Sequence, residues 1–115
     1  MKKEEKMADC HYHKESISKL GKLYELKPEL LQAFMAFDGK VFADGALSAK
    51  SKELIAVACA HVTQCPYCID AHTKKAKKAG ATAEELAEAI FVAASLRAGA
   101  ALAHSCIAIE ALEEK

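Results

Sequence analysis

Two cysteines and a histidine stand close together near the middle of the 115-residue chain, at Cys65, Cys68 and His72. If a helix begins at Cys65, each residue adds a rotation of about 100°, and the three side chains fall within about 60° of one another. Cysteines three residues apart on a helix have Cα atoms about 5–6 Å apart, a separation that a disulfide bond can span. Such a pair can open and close without refolding, so this spacing predicts a redox-active dithiol.

The start of a helix favours thiolate over thiol, because its unpaired N–H groups and the positive end of the helix dipole stabilise negative charge. That argument alone makes Cys65, the residue nearest the N-terminus of the helix, the nucleophile. His72 lies one turn beyond Cys68 and can take up or return its proton, which favours Cys68 instead. The residues by themselves therefore leave the choice of nucleophile open.

A carboxylate precedes the pair at Glu53, in the run Glu-Leu-Ile-Ala-Val-Ala-Cys-Ala-His-Val-Thr-Gln-Cys that ends at Cys65. Glu53, Cys65, Cys68 and His72 together form the pattern Glu-x11-Cys-x2-Cys-x3-His. With this pattern the chain resembles the carboxymuconolactone decarboxylase family, in its alkylhydroperoxidase D-like branch. The run Gly-Ala-Thr-Ala-Glu-Glu-Leu-Ala-Glu-Ala-Ile after the site is also typical of that family. The resemblance covers residues 29–110.

The resemblance implies an oxidoreductase of the alkylhydroperoxidase type, with peroxiredoxin activity. Such an enzyme reduces a small hydroperoxide or a disulfide, and a protein dithiol re-reduces it. The family assigns attack on the peroxide to Cys68, formation of the disulfide bond to Cys65, and proton relay to Glu53 with His72. We adopt this assignment as the prediction, because a base one turn away also activates Cys68. One departure is Tyr67, which stands where founding members of the branch have a second histidine between the cysteines, and it bears on whether their peroxidase activity transfers.

Other interpretations of these residues stay open. A carboxymuconolactone decarboxylase-type enzyme needs no cysteine pair. A zinc-stabilised oligomeric scaffold would complete a site around the two cysteines and His72 with ligands drawn from His61, His104, Cys10 or His13. Glu53 would then be only a surface acid that stabilises the start of its helix. The segment Cys10-His11-Tyr12-His13 is either a plain tail or a metal-binding arm. The prediction assigns neither a metal nor a cofactor.

The surrounding elements are all predicted to be helices. The family resemblance implies the same all-α fold, an alkylhydroperoxidase D-like helical bundle with a dominant antiparallel helix pair. A mobile N-terminal arm over 1–14 leads into a first helix and a single domain over 15–115. Pro28, Ser48, Pro66 and the capping-box pair Thr82 and Glu85 mark helix starts, and Gly80 marks a stop. The later helices are predicted over 29–42, 48–64, 65–80 and 83–112.

The last predicted helix is apolar on most of its circumference over residues 90–109. Glu88, Arg97 and His104 argue against a membrane span, because a central Arg costs about 2.5 kcal/mol or more in a bilayer. A helix that is apolar all round must be buried all round, and burial between subunits satisfies this requirement. We therefore predict a homo-oligomer, and the family resemblance implies a hexamer or a trimer.

Composition restricts the partners. The 16 Lys and Arg residues balance the 16 Asp and Glu residues, which argues against nucleic acid or a membrane surface as a partner. A charged N-terminus with no apolar stretch after it predicts a cytoplasmic protein, in which five cysteines do not form a structural disulfide framework.

Cys59 and Cys106 are interpreted as inert packing residues. The lysine cluster over 74–78 is a solvated helix face or a docking surface for an acidic partner.

Overall fold

Helices make up the ordered elements of the chain, and the computed structural model describes residues 14–115. Within these residues, a 3₁₀ segment, Lys14–Leu20, is followed by five α-helices, and no described residue lies in a strand. The helices are α1 (Gly21–Leu26), α2 (Pro28–Phe42), α3 (Ala49–Thr63), α4 (Pro66–Lys78) and α5 (Ala83–Glu113). The predicted all-α fold is confirmed. The predicted arm over 1–14, with Cys10, His11 and His13, lies outside the described residues except for its last position.

The described chain divides into two compact units, one that ends at Ala49 and one over Lys50–Lys115. A single domain over 15–115 stays a prediction. In the first unit Pro28 occupies the first turn of α2, as predicted, where its missing N–H costs no hydrogen bond. Gln32 on α2 donates from Nε2 to the Tyr24 hydroxyl on α1 at 2.8 Å. Large apolar side chains such as Leu30 and Phe34 stay exposed in this unit.

The connection from α2 to α3 contains Asp44 and Gly45. The Asp44 carboxylate accepts a hydrogen bond from the N–H of Ala49 at 2.7 Å. Ala49 is the first residue of α3, and its N–H has no partner within the helix. Asp44 therefore helps to fix the start of the helix that carries Glu53, while Ser48 directly precedes it.

In the second unit, α3 and α4 form an antiparallel hairpin joined only by Gln64 and Cys65. Each helix of this unit contributes buried residues: Glu53, Val57 and Ala60 from α3, Ala76 from α4 and Ala93 from α5. On α3 these positions follow a spacing of four and three residues, which places them on one face. The small side chains let the helix backbones approach closely.

Two polar contacts join α3 to α5. Lys50 Nζ lies 2.9 Å from Glu85 Oε2, near the start of both helices. Arg97 Nη1 donates to the carbonyl oxygen of Val62 at 2.6 Å, near the end of α3. Both pairs are separated by 35 residues, so α3 and α5 run parallel and in register.

The ends of α4 and the start of α5 follow the predicted signals. Gly80 adopts φ +96°, the left-handed conformation that glycine accepts without strain, and the N–H of Ala81 closes on the carbonyl of Ala76 at 2.9 Å. Thr82 and Glu85 form a complete capping box, in which each side chain accepts the other residue's N–H. Tertiary packing did not override these local preferences.

The long helix α5 keeps most of its apolar surface exposed. Phe91, Leu102 and Leu112 are 73%, 75% and 82% exposed. By length and hydropathy alone α5 would also qualify as a membrane span, which is weak evidence because helices of soluble proteins pass the same test. Its polar contacts with α3 through Glu85 and Arg97 favour a soluble protein.

Candidate active site

Cys65 occupies the N-cap of α4, as the sequence predicts. The helix α3 ends at Thr63; the next residue, Gln64, adopts φ +59°, and the N–H of Cys65 closes this turn on the carbonyl of Ala60 at 3.0 Å. Pro66 then begins α4 with its fixed φ. Cys65 is therefore both the residue that completes the end of α3 and the cap of α4.

The sulfur atoms of Cys65 and Cys68 lie 2.7 Å apart and share a hydrogen bond. The backbone N–H of Cys68 also donates to Cys65 Sγ, at 3.3 Å. Both cysteines are free thiols. A disulfide bond is about 2.05 Å long, so the bond forms with a sulfur movement well below 1 Å.

These hydrogen bonds shift the pKa values of the two thiols in opposite directions. The Cys68 thiol and the backbone N–H groups of Cys68 and Tyr67 lower the pKa of Cys65 more than its partial burial raises it. The same thiol–thiol bond, burial and the charge on Cys65 raise the pKa of Cys68 to about 11. Of the two thiols, Cys65 is therefore the one that ionises more readily, and Cys68 is the one that keeps its proton to higher pH. This order of acidity favours Cys65, as the argument from the helix dipole does, while the choice of Cys68 as the nucleophile stays a prediction.

His72 and Glu53 meet across the hairpin of α3 and α4. His72 Nδ1 lies 2.6 Å from Glu53 Oε1, and the Glu53 side chain is buried. The imidazole N–H at Nδ1 donates to the carboxylate, which orients the ring. Both residues come from one chain. The interpretation of Glu53 as a surface acid is wrong, because the residue is buried and paired with His72.

The remaining candidate residues do not join this site as ligands. Within residues 14–115, no group of three or more His, Cys, Asp or Glu side chains could hold a metal ion. His61 Nδ1 is 2.8 Å from the carbonyl oxygen of Val57 in its own helix, and His104 is exposed on α5. The zinc interpretation therefore gains no support from the described residues, while Cys10 and His13 lie outside them.

Cys59 and Cys106 differ from their predicted role as packing residues. Both thiols are exposed in the single chain. Their apolar neighbours Ile55 and Ile107 are exposed as well, at 49% and 63%. The apolar residues around these cysteines in the sequence predict burial, but a single chain leaves this surface exposed.

The lysine cluster occupies the last turns of α4. Lys74 Nζ pairs with Asp70 Oδ2 at 3.0 Å, and the other lysines at 75, 77 and 78 are exposed. This agrees with a solvated face at a helix C-terminus, where positive charge complements the helix dipole. Docking of an acidic partner at this face stays a prediction.

Sequence reasoning used Arg97 only as evidence against a membrane span and missed its contact with Val62 at the end of α3. The available signal was the isolated cation in the apolar stretch of residues 90–109. A charged side chain in such a stretch is expected to have a specific partner.

The comparisons with known proteins agree with this geometry. The sequence model of the carboxymuconolactone decarboxylase family matches residues 28–111. The chain belongs to that family. The match spans α2 to α5 and includes every residue of the candidate site.

Individual members of the family are closely similar. "Uncharacterized protein 4 in cox locus" of Paracoccus denitrificans is 51% identical over 108 residues, which are 94% of this chain and 96% of that protein. A family protein of Legionella pneumophila is 39% identical, with a TM-score of 0.69 over 87% of this chain and 89% of that one. A Thermotoga maritima family protein, described as a candidate for a part in antioxidative response, is 30% identical, with a TM-score of 0.57 over 72% of this chain and 86% of that one.

Proposed function

We propose that the chain is a thiol-dependent oxidoreductase of the alkylhydroperoxidase D-like branch, which reduces a small hydroperoxide or a disulfide through Cys65 and Cys68. The observation that carries this proposal is the 2.7 Å separation of the two sulfur atoms at the N-cap of α4. The paired Glu53 and His72, one turn from Cys68, support it. The antioxidative role suggested for the Thermotoga maritima relative points in the same direction.

Cys65 makes the first attack in this mechanism. Its thiolate displaces an alkoxide from the hydroperoxide, so that the O–O bond breaks and an S–O bond forms. The alkoxide takes up one proton and leaves as the alcohol, while Cys65 becomes a sulfenic acid. Tyr67 assists through its backbone N–H, which helps to stabilise the thiolate whatever side chain the position carries.

Cys68 makes the second attack. Its sulfur bonds to the sulfenic sulfur of Cys65, the S–O bond breaks, and the oxygen leaves as water. Oxidation of Cys65 removes the charge and the thiol–thiol bond that raise the pKa of Cys68, but partial burial still raises it, so this thiol needs a base near neutral pH. His72 takes that proton at Nε2 and returns it to the departing hydroxide, while Glu53 orients the ring and stabilises the imidazolium.

A disulfide substrate reacts by the same two attacks. The Cys65 thiolate forms a mixed disulfide and releases one thiol, and Cys68 then releases the second thiol as the internal disulfide closes. A protein dithiol that becomes oxidised in turn supplies the two electrons that restore the couple. Such a partner must reach the start of α4, where both cysteines are partly exposed.

The family's decarboxylase activity is the second candidate. It is less well supported, because it gives no role to two sulfur atoms held 2.7 Å apart. The proposed enzyme acts as a cytoplasmic homo-oligomer, with neither a nucleic acid nor a membrane as partner. Its balanced charge and the uncovered apolar surface of α5 support these parts of the proposal.

A thiol count tests the proposed function. One equivalent of hydroperoxide is added to the fully reduced protein, and free thiols are counted before oxidation, after it, and after treatment with a dithiol. We expect two thiols per chain to disappear and then to return, with mass spectrometry locating the disulfide between Cys65 and Cys68. No loss of thiols with hydroperoxides or with small disulfides would reject the proposal.

A further inference from the structure

The turn that carries Cys65 lies between two helix ends of opposite polarity. The C-terminus of α3 presents carbonyl groups with partial negative charge, and the N-terminus of α4 presents N–H groups with partial positive charge. A thiolate at Cys65 is stabilised by α4 and destabilised by α3. The balance between the two ends therefore decides how readily Cys65 ionises.

Arg97 contacts the C-terminal end of α3, the end that destabilises a thiolate at Cys65. Its Nη1 donates to the carbonyl oxygen of Val62 at 2.6 Å, one helix position before the last residue of α3 and three residues before Cys65. A hydrogen bond from a guanidinium is charge-assisted and directional. It satisfies one of the carbonyl groups that have no partner within the helix, and it brings a full positive charge to the negative end of the dipole.

The same contact fixes the position of the turn. Gln64 adopts φ +59°, a conformation that disfavours any residue with a Cβ atom, so the turn needs support from its surroundings. The Cys65 N–H bond to Ala60 supplies part of that support from within the chain segment. Arg97 supplies another part from α5, a helix that lies parallel to α3.

We propose that Arg97 is a positioning residue of the dithiol site, which holds the turn before Cys65 and offsets the negative end of α3 so that Cys65 ionises. This inference rests on the proposed function, in which Cys65 makes the first attack. Arg97 acts through the Val62 carbonyl and is not assigned to the reacting groups.

The titratable groups around the couple are few in the described part of the chain. Cys68 and Tyr67 follow Cys65 on α4, and His72 lies further along the same helix, paired with Glu53 on α3. His61 lies on the last turn of α3, bonded to Val57. From α5 the charged group that reaches this turn is Arg97.

The test is the pH profile of Cys65 alkylation by iodoacetamide, in a background in which the other four cysteines are serine. Arg97→Met keeps a flexible, unbranched apolar stem and removes the charge and the hydrogen-bond donors. We expect alkylation of Cys65 at pH 7 to slow about 2- to 5-fold in this variant, which is the scale of an exposed charge at a helix end. Arg97→Lys, which keeps the charge, should lie between the wild-type protein and Arg97→Met.

Lys50→Met is the matched control, because Lys50 also joins α3 to α5 but does so at the opposite end of α3. We expect it to leave the alkylation profile unchanged while it lowers the unfolding temperature about as much as Arg97→Met. Superimposable profiles for Arg97→Met and the wild-type protein would overturn the inference, as would an equal shift in Lys50→Met. Alkylation needs no peroxide or disulfide substrate, so this result is independent of whether the proposed function holds.

Discussion

His72 Nδ1 lies 2.6 Å from Glu53 Oε1, although the two residues are 19 positions apart in the sequence. Twelve residues of helix separate Glu53 from Cys65, a distance of about 18 Å along the axis. The hairpin removes most of this distance, because α4 turns back along α3 and carries His72 toward Glu53. A carboxylate remote from the cysteines in sequence thus supports the imidazole one turn from Cys68.

Replacing Glu53 tests the role of this pair. Glu53→Gln keeps the size of the side chain and an oxygen acceptor for His72 but removes the charge that stabilises the imidazolium. We expect the second attack, by Cys68, to slow about 10- to 1000-fold, the scale of lost general-base assistance. Stopped-flow measurement of disulfide closure, with trapping of the sulfenic acid on Cys65, should show that intermediate accumulating.

The matched control is Glu88→Gln on the exposed surface of α5. It removes the same charge outside the hairpin, so its closure rate should equal that of the wild-type protein. If Glu53→Gln closes its disulfide at the rate of Glu88→Gln, the pair has no part in the proton transfer.

Replacing Cys65 by serine should affect a different step of the reaction from replacing Cys68 by serine. Cys65→Ser removes the thiolate and should abolish reaction with hydroperoxide. Cys68→Ser keeps a donor to Cys65 Sγ but cannot close the disulfide, so a sulfenic acid should persist on Cys65. Trapping with dimedone followed by mass spectrometry distinguishes the variants. The opposite pattern, a sulfenic acid on Cys68 in Cys65→Ser, would restore the assignment that the family resemblance implies.

The thiols should also titrate separately. Because hydrogen bonds from Cys68 lower the pKa of Cys65, its thiolate persists to lower pH than that of an unperturbed cysteine, and its alkylation should fall off only at that lower pH. The Cys68 thiol, with a pKa raised to about 11, should resist alkylation until the solution is strongly alkaline. Cys68→Ala removes the largest cause and should move the Cys65 profile to higher pH. An unmoved profile would show that Cys68 does not stabilise the thiolate.

The exposed face of α5 predicts self-association. Exposed side chains such as Phe91 and Leu102 together form a larger apolar surface than a soluble monomer of this size usually tolerates. We expect sedimentation velocity at micromolar concentration to give a trimer or a hexamer, and Leu102→Glu to shift the population toward smaller species. Lys77→Glu on α4 adds negative charge outside this face and should not. A folded, fully active monomer would contradict the prediction.

Local signals allowed much of the fold to be predicted from the sequence. Pro28, Gly80 and the pair Thr82 and Glu85 act through backbone conformation and hydrogen bonds within a few residues, so their effects do not depend on distant parts of the chain. The positions of Cys65 and Cys68 on the first turn of α4 follow from the same rules. The resemblance to the family supplied Glu53, which no local rule identifies.

Other features depend on contacts that the sequence does not encode locally. The ionisation of Cys65 and Cys68 is set by which sulfur donates to the other, and the helix dipole and the base at His72 gave opposing predictions. The contact of Arg97 with Val62 depends on α5 lying parallel to α3, a relationship between helices 35 residues apart. The exposure of Cys59 and Cys106 was missed because an apolar pattern indicates burial without saying in which chain the covering surface lies.

The proposed reacting groups and their proton relay all lie between Glu53 and His72, within one hairpin of consecutive helices. Contacts this close in sequence form early, because loop closure over short segments costs little entropy and local topologies fold fast. Assembly of subunits is slower and depends on concentration. A newly synthesised chain is therefore expected to bring its thiols together before it finds its partners, and an oxidant present at that moment would close the disulfide while the face of α5 is still uncovered.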